Sequence, residues 1–255
     1  MTSEMMSVMT SEQWIRHFRG NALVRRIDWT KNATLAADDR LVRSLQAWQK
    51  GETSDGRHLL RAAAKFATRF DDPRSLDATR LFIAEEQKHG GNLGRYLDRI
   101  GAPRLGFDIG DWLFRRVRYF NASIEVWTIT VIIVEMLAQM YYAALAKAAD
   151  CPLLRDICDD ILADESPHIR FQAERLHTVV ADRGPATMQL ARAAYRGLFA
   201  VVVRTVWLAH GHVFRAAGYS RPAYLRKIRT RFDRILADLP DCGLQNRPGD
   251  CVEQD

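Results

Sequence analysis

Apolar residues recur along this chain at steps of three and four over long windows, and alternating β-branched runs are nearly absent. That periodicity predicts an all-α protein. A short helix is expected over Ser11 to Phe18, with a polar segment following through Asn32. The first long helix is expected from about Ala36 to Phe70, interrupted or bent near Gly51 and Gly56. Asp71-Asp72-Pro73 reads as a stop and a new start, with proline in a first-turn position. The second long helix then runs to Ile100 and ends at Gly101-Ala102-Pro103. A longer connection follows, with a short amphipathic piece around Asp111 to Tyr119. The third long helix spans about Ala122 to Ala149, and the fourth starts at Cys151-Pro152 and reaches about Val180. Two helical hairpins joined by a long crossover predict a four-helix bundle. A fifth helix (about Ala186 to Ala217) and a sixth (about Pro222 to Leu236) exceed what the bundle needs. The expected division is an extension with a short helix over 1–35, the bundle over 36–182, C-terminal helices packed on it over 183–238, and a flexible tail over 239–255.

The apolar stripes of the four long helices are interrupted by a few polar residues, and these carry the chemistry. On the second helix Glu86 and His89 share a stripe with Phe82, Leu93 and Leu97. On the fourth, Glu165 and His168 share one with Ile161, Gln172 and Leu176. An i, i+3 spacing puts both side chains on one face, one turn apart, where they can hold the same ion. The third helix offers Glu135 on a stripe with Ile132, Gln139 and Tyr142, thirty residues before Glu165. The first offers Glu52, thirty-four residues before Glu86, with Asp55 one turn on as its rival. Separations of that size suit half a helix down, a turn and half a helix back. Four carboxylates inside a bundle would repel one another without cations, so a pair of divalent ions is the natural compensation. Glu85 and Asp164 neighbour these residues and read either as partners that hold the histidines or as surface acids. Gln139 and Tyr142 are candidates to line the cavity.

Composition changes this picture little; charge changes it more. The 255 residues can bury a core without disulfides. Cys151, Cys158, Cys242 and Cys251 show neither paired nor metal-type spacing and read as reduced thiols. With no secretory pattern at the N-terminus, a cytoplasmic protein is expected. Val126 to Ala149 is apolar enough for a membrane span, but Glu135 and Gln139 sit in its middle, so a buried bundle helix is expected instead. The net charge is +6, and from Arg183 to Phe232 there is no Asp or Glu at all. The basic region Arg183 to Arg231 reads either as a binding surface for an acidic partner or as a solvated face.

Glu52, Glu86-x-x-His89, Glu135 and Glu165-x-x-His168 resemble the ligand set of the ferritin-like di-iron carboxylate superfamily, over about residues 36 to 182. The resemblance implies a ferritin-like four-helix bundle holding two Fe ions, or Mn with Fe. It implies an oxidoreductase that uses O2 to oxidise or hydroxylate a substrate, together with an electron donor if the enzyme is an oxygenase. Glu135 and Glu165 would be the bridging or shifting carboxylates. The wider family includes tRNA-modifying hydroxylases and amine N-oxygenases, so a small-molecule, carrier-linked or RNA-linked acidic substrate fits the basic region, and a homodimer is compatible. The alternatives from other classes are an iron-storage or detoxification protein and a metal-free structural bundle. One residue departs from the pattern. Pro167 lies between Glu165 and His168, where it predicts a kink or local unwinding, with either a shifted His168 and a weak second metal or a site opened to substrate as the consequence.

Overall fold

The computed structural model describes residues 8–34, 39–106 and 123–239. The expected amphipathic piece at Asp111 to Tyr119, together with Cys242 and Cys251, lies outside them. Among the described residues there are helices and no strands. They are α1 (Ser11–Asn21), α2 (Asp39–Glu52), α3 (Arg57–Arg69), α4 (Arg74–Arg99), α5 (Ile124–Ala148), α6 (Pro152–Val180), α7 (Pro185–Ala216) and α8 (Arg221–Ala237).

Of the interruption or bend expected near Gly51 and Gly56, the first long helix shows the interruption. α2 ends at Glu52 and α3 begins at Arg57, and Gly56 between them adopts φ +65°, a conformation that L side chains rarely take. A Cβ at Gly56 would also sit 2.6 Å from Ile83 of α4, so the turn is pressed against the bundle. A tight corner at Asp71, itself at positive φ, then turns the chain into α4.

α2 and α3 together form one side of the bundle and pack on α4; α5 and α6 form the other hairpin, and α4 meets α6 across the centre. α5 is the core helix. Its apolar residues face neighbours almost all round, from Ile132 and Met136 to Leu145, which are at most 1% exposed. This explains why its sequence passes a length-and-hydropathy test for a membrane span while its residues are mostly buried in protein. α7 packs on α5 and α2, and α8 packs on α5 and α7. Glu125 at the start of α5 fastens this layer by accepting from Arg183 at 2.8 Å and from the Tyr195 hydroxyl.

α1 carries its own start signal. The Thr10 hydroxyl accepts from the Gln13 amide while the Gln13 side chain accepts from the Thr10 amide, a reciprocal cap that serves two otherwise orphaned donors. Trp14, Ile15 and Phe18 bury α1 against α4, and this packing delivers Asn21, its last residue, to the bundle centre. The stretch expected to be a mere extension therefore contributes to the site.

The helix does not unwind at Pro167: α6 runs continuously through it. Proline removes one amide donor, that for the carbonyl of Ala163, and Ala163 lies on the exposed side of the helix where water can serve it.

Candidate metal centre

The bundle brings Glu52, Glu86, His89, Glu135, Glu165 and His168 together from four helices. Glu52, Glu86 and His89 offer one set of ligand atoms within 4.8 Å of one another, and Glu86, Glu135 and His168 offer a second. Glu86 belongs to both sets, so its carboxylate lies between the two groups of ligand atoms. Glu165 faces Glu135 and is fully buried with neither oxygen hydrogen-bonded.

Local packing explains how α2 reaches this centre. A Cβ at Gly90, next to His89, would meet the backbone and Cβ of Glu52 at 3.1 Å, so the absence of a side chain there lets the end of α2 close onto α4. Gln49 secures the contact by donating to the Gly90 carbonyl at 3.2 Å. Glu52 then receives a hydrogen bond from the Tyr142 hydroxyl of α5 at 2.7 Å. Asp55, the rival for this position, is exposed and paired with Arg57 at 2.6 Å, outside the cluster. Gln139 is not part of the cluster lining either: it bridges Ser166 and Arg231.

The histidines are oriented from behind, crosswise. His89 of α4 points Nε2 at Asp164 of α6 (2.9 Å), and His168 of α6 points Nε2 at Glu85 of α4 (2.8 Å). In each motif, the acid just before the ligand glutamate holds the other helix's histidine. A carboxylate on Nε2 holds a ring proton there and turns Nδ1 toward the cluster as the nitrogen a metal would take. Both Nδ1 atoms face the cluster: that of His168 lies 2.8 Å from Glu86 Oε1, an ion-pair distance, and that of His89 lies 4.0 Å from it, with no other partner for either nitrogen.

A further ring of residues fixes these acids. Asn21 donates to Glu85 at 2.5 Å and to Asp164 at 2.8 Å, tying the two supporting carboxylates together. Lys88 pairs with Asp164 at 2.8 Å and Asp160 at 3.3 Å, and Arg26 pairs with both at 3.2 and 3.0 Å. Burial would raise the Asp164 carboxyl, but hydrogen bonds from His89, Lys88 and Asn21 hold it well below the usual carboxylate range. Replacing Asp164 with asparagine should weaken metal binding by about 10–100-fold while helix content is kept. Calorimetric titration with Mn(II) measures this, and unchanged affinity would show that His89 is oriented by something else.

The inner carboxylates behave in the opposite way. Burial, then repulsion from Glu86, pushes Glu135 up to about 7. Burial and its carboxylate neighbours, Glu135 first, push Glu165 well above its ordinary value, and burial and Glu86 do the same to Glu52. Burial pushes Glu86 up too, but His168 and His89 beside it outweigh this and hold it low. The cluster is thus short of positive charge. Two divalent cations would bring four positive charges against the four inner carboxylates, with histidine nitrogens and carboxylate oxygens as donors. The five buried atoms without a hydrogen bond (Glu86 Oε1, His89 Nδ1, His168 Nδ1 and both Glu165 oxygens) are the atoms such ions would use. The residues fit a two-metal centre.

The surroundings are apolar on one side. Phe82 meets the His168 ring edge-on at 4.7 Å, and Phe18 and Phe171 pack behind it. Gln172, one turn past His168, is fully buried with neither amide atom partnered. A third Glu-x-x-His spacing, Glu174 and His177, lies further along α6 and serves a different purpose: Glu174 accepts from Trp14 and pairs with Arg170.

No protein-family model matches the chain, and no curated protein does. Solved structures do match in fold. One is a point mutant of an R2-like ligand-binding oxidase with an anaerobically reconstituted Mn/Fe cofactor, at TM-score 0.61 and 17% identity over 91% of this chain and 94% of that one. Another is a mutant of an R2-like ligand-binding oxidase with a non-activated Mn/Mn cofactor, at TM-score 0.62 and 17% identity over 91% and 93%. A third is an R2-like ligand-binding oxidase with an aerobically reconstituted Mn/Fe cofactor, at 0.58 and 16% over 90% and 92%. The likeness extends over nearly the whole of each chain, so α7 and α8 lie within a shared architecture, a ferritin-like helical bundle.

Proposed function

We propose that this chain is a two-metal oxidoreductase that holds Fe, or Mn with Fe, between Glu52, Glu86, His89, Glu135, Glu165 and His168 and uses O2 to oxidise a substrate bound beside them. The observation that carries this reading is the convergence of five buried ligand atoms without hydrogen bonds, on side chains whose histidine partners are locked from behind. The Mn/Fe and Mn/Mn cofactors of the R2-like oxidases that share the fold support it. Mixed oxygen and imidazole ligation suits these metals better than softer-ligand chemistry.

When bound, the metal pair supplies the electrons that reduce O2. The protein supplies the rest. Asp164 and Glu85 keep both Nε2 atoms protonated so that Nδ1 is the ligand. The Tyr142 hydroxyl holds one Glu52 oxygen. Phe18, Phe82 and Phe171 exclude water from the His168 side. Gln172 offers a buried donor and acceptor to a polar group of a substrate. An oxygenase outcome additionally requires an external electron donor.

The test is metal content after anaerobic loading with Fe(II), alone and with Mn(II), followed by an optical spectrum on adding O2. Two ions per chain and a new absorption band on oxygenation are expected. Less than about half an ion per chain would mean a bundle that has no metal function.

A further inference from the structure

α7 has two faces of unequal character. Its inner face sends Tyr195, Phe199, Val203 and Trp207 into the core. Its outer face carries Leu190, Ala194, Gly197, Val201 and Leu208 at steps of four, three, four and seven residues, which places all five along one line of the helix. Leu190, Val201 and Leu208 are 73%, 65% and 80% exposed. The line is about 27 Å long. The outer side of a helix on a soluble bundle normally carries charge; here the charges lie at the margins and end of the stripe. Arg196, Arg204 and Arg215 are exposed; Asp233 of α8 lies 3.5 Å from Arg196, and no carboxylate between Arg183 and Phe232 answers the other two.

We propose that the outer face of α7 docks on an anionic lipid bilayer, with Leu190, Val201 and Leu208 at the boundary between headgroups and acyl chains and the flanking arginines on lipid phosphates. Charge complementarity selects this occupant. A second copy packed antiparallel about the middle of the same stripe would set Arg204 of each helix near Arg196 of the other, with no acid on either α7 to neutralise them. A bilayer rich in anionic lipid satisfies the apolar stripe and the arginines together. The helix lies on the membrane and does not cross it, because its inner face is packed along α5 and α2. The centre between α2, α4, α5 and α6 would then operate at a membrane surface.

The experiment is co-sedimentation of the full chain with vesicles of phosphatidylcholine containing phosphatidylglycerol, against vesicles of phosphatidylcholine alone. Sedimentation with the anionic vesicles and not the neutral ones is expected. It should weaken as salt rises and fall by about tenfold or more in a Val201→Glu, Leu208→Glu variant. Both positions are exposed, so this variant should keep its circular dichroism. Replacing Arg196, Arg204 and Arg215 with glutamine gives a second variant that leaves the stripe intact and should also lose anionic binding. Absence of vesicle binding would overturn the proposal, as would binding by both variants equal to that of the wild type. A dimer in light scattering that Leu208→Glu splits into monomers would assign the face to a second copy and overturn it too.

Discussion

Glu86→Ala should abolish binding of both metal ions, whereas Glu52→Ala should leave one. The difference follows from the geometry. Glu86 contributes to both sets of ligand atoms, and its Oε1 faces the Nδ1 atoms of both histidines, at 2.8 Å for His168 and 4.0 Å for His89. Removing it takes a charged ligand from each ion and leaves Glu52 with His89 on one side and Glu135 with His168 on the other. Glu52 belongs to one set only. Its removal leaves Glu86, Glu135, Glu165 and His168 for the second ion. Metal analysis after anaerobic loading reads the result directly: near zero per chain for Glu86→Ala, about one for Glu52→Ala, with circular dichroism to confirm that both variants fold. Two ions retained by Glu86→Ala would remove Glu86 from the shared position. Loss of both from Glu52→Ala would show that the two positions fill only together.

How much of this was legible in the sequence depends on which kind of rule each residue obeys. Helix ends were readable because proline and glycine act locally: α6 and α7 both start within one residue of where Pro152 and Pro185 predict. Glu-x-x-His spacing is also local, but it does not discriminate by itself. Glu174 and His177 have the same spacing and sit on the same helix as Glu165 and His168, yet Glu174 is spent on Trp14 and Arg170. What separates them is the partner glutamate about thirty residues upstream on an apolar stripe, which is a statement about the hairpin. The choice between Glu52 and Asp55 needed the backbone: once the helix ends at Glu52 and Gly56 turns the chain, Asp55 is left outside with Arg57. The crosswise support of His89 by Asp164 and of His168 by Glu85 joins residues 75 and 83 positions apart, and the Asn21 contact to Asp164 spans 143. No spacing rule reaches that far. Pro167 shows the reverse case, a strong local signal for unwinding in a helix that nevertheless runs on unbroken.

Glu135→Gln should stabilise the metal-free protein at pH 8 and do little at pH 5, while destroying the second ion position. Burial and the charge of Glu86 raise the Glu135 carboxyl to about 7 in the folded state, against an ordinary value near 4.3 in the unfolded chain. A group raised in this way contributes its full stability below the unfolded value and loses it as pH rises through the folded one. At pH 5 folded Glu135 is protonated and costs little. At pH 8 it is ionised beside Glu86 and Glu165, at a cost of about 3 kcal/mol. Glutamine has the same shape without the charge, and replacing buried ionic groups by neutral ones commonly stabilises by about 1–4 kcal/mol. Urea unfolding of metal-free wild type and variant at the two pH values measures the difference, and a pH-independent gain would show that Glu135 does not carry the repulsion. Metal should reverse the order. Bound cations replace the protons of Glu135, Glu165 and Glu52, so affinity rises with pH and loading stabilises wild type most where the empty cluster is least stable. Glu52, Glu135 and Glu165 thus cost stability in the metal-free fold, and that cost is the physical reason to expect that the cluster exists to hold metal.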